Sequence, residues 1–403
     1  MILKRIMAAV LAMLMPVPLI VGAQANTAKQ PDKRDESQAE TSVPVEIKAK
    51  AAILMDMATG MVLMEENSDA KHSPASITKI MTLLLVTEAV DSGRIAMEDS
   101  VTVSEHAQSF GGSTIFLETG ETMSVYDMVK GTAVASANDA AVALAEHVAG
   151  TEQAFVDMMN RRAADLGMTN THFTNAHGLD EAQHYTTARD IAIMTRELMK
   201  HEKIFEFTGI WMDKLRGGST ELVNTNRLIR FYGPATGLKT GTTGKAGSCI
   251  SATAQKNGMH LIAVVLGAAN RDERDATAKA MLEYGFANWQ FVTPPVPEEL
   301  RHPVKIIGGV LPQVAVMPQS SLEVLVKRGE ESRVGCTVTL AANLKAPVSD
   351  GEKVGTVKIT VGGETLSEIS VVCAEAVEKM TFWRGLRCLL EAFFTAGEKL
   401  MNN

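Results

Sequence analysis

A chain of 403 residues with 46% hydrophobic content has enough apolar material for two or three packed domains. Its 39 basic and 47 acidic side chains leave a formal charge of −8 with only short basic clusters, which argues against nucleic acid as a partner. The nine histidines show no metal-ligand spacing, and Cys249, Cys336, Cys373 and Cys388 lie too far apart for a zinc pattern, so neither metal nor cofactor is expected.

Residues 1–25 read as a secretory signal peptide. Lys4 and Arg5 precede the apolar run Ile6 to Val21, and Ala23-Gln24-Ala25 offers a small-residue cleavage site. That run is shorter than the ~20 residues needed to span a bilayer, so work outside the cytoplasm is expected. Residues 26–45 are polar and charged and read as a flexible linker.

A catalytic domain is expected over 46–297. Ala51 to Met57 and Met61 to Glu65 suggest a hairpin about Ala58-Thr59-Gly60. From Ser76 to Val90, Ile77, Ile80, Met81, Leu84 and Leu85 recur at helical spacing, predicting a helix buried on most sides. Residues 125–148 read as two helices interrupted at Ser136-Ala137-Asn138-Asp139, which prefer turns and caps. Further helices are predicted at 152–166 and 187–201, with a loop at 173–190 between them. A strand at Ser248 to Ala254 turns at Asn257-Gly258 into Leu261 to Leu266, which is expected to neighbour the strand carrying Lys239. A helix from Asp275 to Tyr284 follows, and Pro294, Pro295 and Pro297 mark a boundary.

Residues 298–374 change to short alternating runs and read as a small β-sandwich-like domain. In an exported protein, Cys336 and Cys373 within it are candidates for a disulfide, the alternative being two free thiols. Cys249 reads as a small buried hydrophobe. Over 375–403, Phe382, Trp383, Leu386, Leu389 and Phe393 fall on one arc, with Arg384, Arg387 and Glu391 opposite. The pattern predicts an amphipathic helix lying on a membrane surface.

The chemistry concentrates at Ser76-Ile77-Thr78-Lys79. A lysine three positions along a helix projects its amine over the serine, which needs a base to become a nucleophile. Ser68-Asp69-Ala70-Lys71 has the same spacing, but no apolar run follows it to bury the lysine, and it is set aside. Ser136 and Asn138 taken alone read as helix caps, and His177 and His184 as structural hydrogen-bonders. Together, Ser76/Lys79, Ser136/Asn138 and Lys239/Thr240/Gly241, in that order, resemble the penicillin-recognising serine enzymes.

The finer pattern resembles the low-molecular-mass D-alanyl-D-alanine carboxypeptidases of peptidase family S11, over about residues 46–400. It is carried by Ser73-Pro74-Ala75-Ser76, Gly111-Gly112-Ser113, Ser136-Ala137-Asn138-Asp139-Ala140, Asn175-Ala176-His177-Gly178-Leu179-Asp180 and Gly237-Leu238-Lys239-Thr240-Gly241. The resemblance implies an α/β (α+β) transpeptidase-type domain, a β domain and a membrane-attaching helix. It implies Ser76 as nucleophile, Lys79 as base and Ser136 as proton relay. Asn138 would hold Lys79 and the substrate amide, the N–H groups of Ser76 and Thr242 would form an oxyanion hole, and Lys239, Thr240 and Gly241 would receive the terminal carboxylate. Some members carry histidine where this chain has Thr242. Arg274 is expected to be a second cation for that carboxylate, with Arg271 as its local competitor. The implied partners are peptidoglycan stem peptides ending in D-Ala-D-Ala and β-lactam antibiotics. Rival readings are a secreted serine β-lactamase and a non-catalytic wall-binding or penicillin-sensing protein.

Overall fold

The computed structural model describes residues 45–387, 389 and 390. The signal, most of the linker and the distal part of the expected C-terminal helix lie outside the described residues. Helical backbone occupies 382–387. Among the described residues no helix is long and apolar enough to cross a membrane.

The central sheet is antiparallel. Its strands are β1 (Ala51–Asp56), β2 (Val62–Glu66), β3 (Ala235–Thr243), β4 (Gly247–Lys256) and β5 (Met259–Ala268), in spatial order β2-β1-β5-β4-β3. All six residues of β1 are buried because both faces of the sheet are covered. Ala51, Ile53 and Met55 point into one core and Ala52 and Leu54 into the other, as the two-residue strand period requires. Asn257 and Gly258, with φ of 52° and 79°, form the two-residue left-handed turn between β4 and β5.

The first core holds helices α1 (Lys79–Asp91), α2 (Val125–Lys130), α3 (Asn138–Ala149), α4 (Glu152–Asp165) and α5 (Ala188–Leu198). Helix α1 is buried on nearly every side, and its face therefore carries no amphipathic contrast. The second core is closed by α6 (Arg271–Asn288), through Ala278, Met281, Leu282 and Phe286.

Three expectations are corrected here. Strand β5 neighbours β4 and β1, not β3, so the Lys239 strand is the sheet's edge. Helix α6 starts four residues earlier than predicted, because Asn270 caps it by accepting the Glu273 N–H at 2.9 Å. Arg274 thus lies in its first turn. The proline-rich segment does not separate two independent sheets: β6 (Trp289–Val292) pairs with β8 (Val324–Lys327), and Leu325 enters the core beneath α6.

The C-terminal part is all β. A sheet runs β7-β11-β10-β9, from β7 (Val316–Pro318), β9 (Val334–Leu340), β10 (Lys353–Val361) and β11 (Glu364–Cys373). Cys336 on β9 faces Ile359 of β10, whereas Cys373 on β11 faces Val316 of β7. Strand β10 lies between the two strands that carry these thiols, both thiols are free, and the candidate disulfide is not formed.

Candidate active site

Ser76 lies in a 3₁₀ turn, Ala75–Thr78, that runs directly into α1. Ser76 is half-buried and Lys79 wholly buried. The Lys79 ammonium meets three acceptors: Ser76 Oγ at 3.1 Å, Asn138 Oδ1 at 2.6 Å and the His177 carbonyl at 2.6 Å. These match its three N–H donors. Burial first, and the Lys239 cation second, push its pKa well below the usual range, while Asp139 opposes them.

Asn138 opens α3, and its Nδ2 donates to the Gly111 carbonyl at 2.7 Å. That contact fixes the amide so that its oxygen, not its nitrogen, faces Lys79. Ser136 ends a π-helical turn, Gly131–Ala135, in the left-handed conformation at φ 65°. The turn swings its hydroxyl out of the helix and into the depression that Ser76 lines.

Lys239, Thr240 and Gly241 lie on β3, whose free edge is available for pairing with an extended peptide. A side chain at Gly241 would come within 2.8 Å of the Ser76 nitrogen and 3.0 Å of the Pro74 carbonyl. Only glycine lets the edge strand lie against the backbone at Ser76. Lys239 is buried, with its pKa lowered to about 7 by desolvation and by Arg274. Thr240 Oγ1 donates to Thr225 Oγ1 at 2.7 Å, and Thr242 is exposed at the rim.

Arg274 is 1% exposed. Its Nε donates to Asp275 Oδ1 at 2.8 Å. Nη2 is 2.7 Å from the same oxygen but off the hydrogen-bonding angle, so it has no hydrogen-bond partner. The expected pairing with Asp275 therefore exists, but inside the protein and incompletely. A depression of about 150 Å³ brings Ser76, Ser136, Thr240, Gly241, Thr242 and Arg274 together, with Arg271 beside them. A larger hollow of about 610 Å³, lined by Arg94, Met97, Tyr126 and Lys203 among others, has no serine, cysteine or histidine in its wall.

Sequence reasoning missed the supporting residues. The His177 carbonyl holds Lys79, while the ring accepts the Leu179 N–H on Nδ1 and turns Nε2 toward Glu152 Oε1 at 3.6 Å. Glu152 also accepts from the Ala176 N–H at 3.0 Å and contacts His106 Nε2 at 2.7 Å. It thereby ties the 173–190 loop to the segment that leads to Gly111. Asp180 accepts hydrogen bonds from Ser73 at 2.5 Å and Thr243 at 2.9 Å, joining that loop to both the nucleophile's turn and β3. A Cβ on Gly178 would fall 1.9 Å from the Ala75 carbonyl oxygen. The sequence signal for these roles was the Asn175-to-Asp180 run; Glu152 alone reads as a helix-start acid.

The D-alanyl-D-alanine carboxypeptidase family profile matches residues 36–270. The chain belongs to that family. A second profile, the C-terminal domain of penicillin-binding protein 5, matches residues 301–379 of this carboxypeptidase-family chain. Among relatives, D-alanyl-D-alanine carboxypeptidase DacF of Bacillus subtilis is 42% identical over 386 residues, covering 94% of this chain and 96% of the relative. Penicillin-binding protein 5 of Haemophilus influenzae is similar in structure at a TM-score of 0.74 and 30% identity, over 84% of this chain and 100% of that one. Penicillin-binding protein D2 of Listeria monocytogenes, solved in its ampicillin-bound form, matches at a TM-score of 0.56 and 30% identity, over 60% of this chain and 100% of that one. The family makes this chain a serine peptidase, with an α/β catalytic domain followed by an all-β domain.

Proposed function

We propose that this carboxypeptidase removes the terminal D-alanine from peptidoglycan stem peptides through an acyl-enzyme on Ser76. The observation that carries the assignment is the buried Lys79 amine 3.1 Å from Ser76 Oγ, with its pKa driven down. In its neutral form Lys79 accepts the serine proton as Oγ attacks the carbonyl carbon of the penultimate D-alanine. The negative charge on the carbonyl oxygen is received by the N–H groups of Ser76 and Thr242. Ser136, on the same depression, passes a proton to the departing amine, and D-alanine leaves. Water then adds to the ester and releases the shortened peptide and Ser76.

Lys239, Thr240 and Arg274 receive the substrate's free carboxylate. An arriving anion favours the charged form of Lys239, whose pKa of about 7 leaves it poised between states. A β-lactam carbonyl enters by the same route and acylates Ser76. All three motifs are present, which disfavours a non-catalytic sensor. The direct test is mass spectrometry of a purified pentapeptide ending in D-Ala-D-Ala. Loss of a single alanine is expected, and an unchanged peptide beside a protein that still binds penicillin overturns the carboxypeptidase assignment.

We infer that the enzyme works on the outer face of the cytoplasmic membrane, held there by 375–403. Phe382, Trp383 and Leu389 are 76%, 75% and 71% exposed, which suits an apolar face awaiting lipid. A chain ending at Glu375 should lose binding to lipid vesicles that the full chain retains; equal binding by both overturns the anchor.

A further inference from the structure

The β domain carries a small sheet of three strands, Gln313–Val314, Val304–Ile307 and Leu344–Lys345, in that spatial order. Its two faces differ. Val304, Ile306 and Val314 are buried and Leu344 packs against them, so the two-residue period turns Lys305, Ile307, Gln313 and Lys345 outward together. Register places Lys305 beside Gln313 and Ile307 beside Lys345. Ile307 is 51% exposed, and Leu311, in the turn that follows it, is 41% exposed. Neither Lys305 nor Lys345 has a hydrogen bond or ion pair among the described residues, and none of the four outward residues is acidic.

That turn is strapped to the chain entering the C-terminal helix. The Val310 N–H donates to the Glu378 carbonyl at 2.9 Å and the Met380 N–H to the Gly308 carbonyl at 2.8 Å, with Gly309 opposite Lys379 between them. Helical backbone begins at Phe382, whose ring is exposed together with that of Trp383. Lys379 adds a third exposed, unpaired cation at the strap, whereas its acidic neighbour Glu378 is paired with Arg384.

We infer that the outer face of this sheet is a second membrane contact, seated on anionic phospholipid headgroups beside the C-terminal helix. Ile307 and Leu311 enter the headgroup boundary, and the lysines around them pair with lipid phosphates. Exposed aliphatic side chains rimmed by unpaired cations complement an anionic lipid surface, and the strap keeps this face next to the exposed rings of Phe382 and Trp383. The contact is too small to hold the protein alone. It forms once the helix has brought the sheet to the surface, where the second binding event is intramolecular. Two contacts on one domain fix the angle at which it stands over the membrane; a single helix would leave it free to pivot. The inference rests on the reading of 375–403 as the anchor.

The test measures binding of the full-length protein to phosphatidylcholine vesicles with and without phosphatidylglycerol. Lys305→Gln/Lys345→Gln should weaken binding to the anionic vesicles by roughly thirtyfold and change binding to the neutral ones little. Ile307→Ser/Leu311→Ser should weaken binding to both by roughly fivefold. Lys203→Gln/Lys214→Gln, which removes as much charge from exposed positions of the catalytic domain, should leave binding unchanged. Equal losses in the two lysine pairs overturn a local contact. Binding by Lys305→Gln/Lys345→Gln that matches the unmodified protein overturns the lipid contact and leaves the face to a protein partner. Failure of the unmodified protein to bind either vesicle overturns the anchor reading and this one with it.

Discussion

The chain contains the same four-residue spacing twice within the twelve positions 68–79, and the two copies differ in what is buried. At Ser68 the serine is 5% exposed and donates to Glu65 at 2.5 Å, while Arg189 donates to it at 2.9 Å. An ion cluster of Glu65, Asp69 and Arg189 positions that serine. Its lysine, Lys71, is exposed, with Nζ 4.2 Å from the centre of the Tyr185 ring. At Ser76 the arrangement is inverted: the serine is partly open and the lysine is the wholly buried partner. What distinguishes the second copy is an amine whose pKa is held well below its usual range by burial and by the Lys239 cation.

The sharpest way to break this comparison is to exchange the two serines for alanine. Ser76→Ala should abolish labelling by a fluorescent penicillin, and Ser68→Ala should keep it. Retained labelling in Ser76→Ala sinks the assignment. Next in size is the lysine pair. Lys79→Ala should lower the acylation rate by about 10²–10⁴, the usual contribution of a positioned base, while Lys71→Ala changes it by less than about twofold. Stopped-flow acylation measures both, and a comparable loss in the two variants would remove burial as the deciding difference.

Arg274 extends the same logic to the other end of the substrate. It is a buried cation with an unpartnered Nη2 in the wall of the catalytic depression. Arg274→Ala should cost on the order of 2 kcal/mol in transition-state binding, or roughly thirtyfold in kcat/KM, for a peptide with a free terminal carboxylate. Its C-terminal amide should lose far less. Full preference for the free acid in the variant would leave Lys239 as the carboxylate's receptor.

Residue order pointed to the groups that meet here, because Ser76, Lys79, Ser136, Asn138 and Thr240 each carry a side-chain signature. The burial of α1 was legible too, since between Ile80 and Val90 only Thr82, Thr87 and Glu88 are polar. The His177 carbonyl was not, because a backbone acceptor leaves no mark on residue identity. The necessity of Gly178 was equally hidden: it arises from the Ala75 oxygen, 103 positions earlier in the chain (178 minus 75). Strand order failed for a related reason. The continuous apolar run at 261–266 reports that both faces of a strand are covered but not which strand lies beside it, and β4 intervenes before β3. The prolines at 294–297 marked a change in composition, yet Leu325 still needed apolar cover and found it beneath α6.

The smallest predicted effect separates the two copies by pH. The turn carrying Ser76 rests on His184, which is buried: its Nδ1 accepts the Thr174 N–H at 3.0 Å, and Nε2 lies 2.7 Å from Thr78 Oγ1. Since Nδ1 is an acceptor, the proton sits on Nε2 and donates to Thr78, whose hydroxyl in turn donates to the Ala75 carbonyl at 2.8 Å. Burial lowers the His184 pKa to about 4 from 6.5. The unfolded chain therefore binds the proton first, and the stability that neutral His184 contributes is complete above pH 6.5 and is lost as pH falls toward 4. The Ser68 cluster behaves otherwise, because Arg189 holds Asp69 below its ordinary carboxylate range and the pair outlasts that window. Between pH 6.5 and 4.5 the wild-type protein should lose roughly 2 kcal/mol more stability than His184→Gln, which can keep both hydrogen bonds without acquiring a charge. Urea unfolding at the two pH values measures the difference. Equal losses in the two proteins would mean that His184 takes up its proton as readily in the folded chain as in the unfolded one, and that the turn beneath Ser76 draws no pH-dependent support from it.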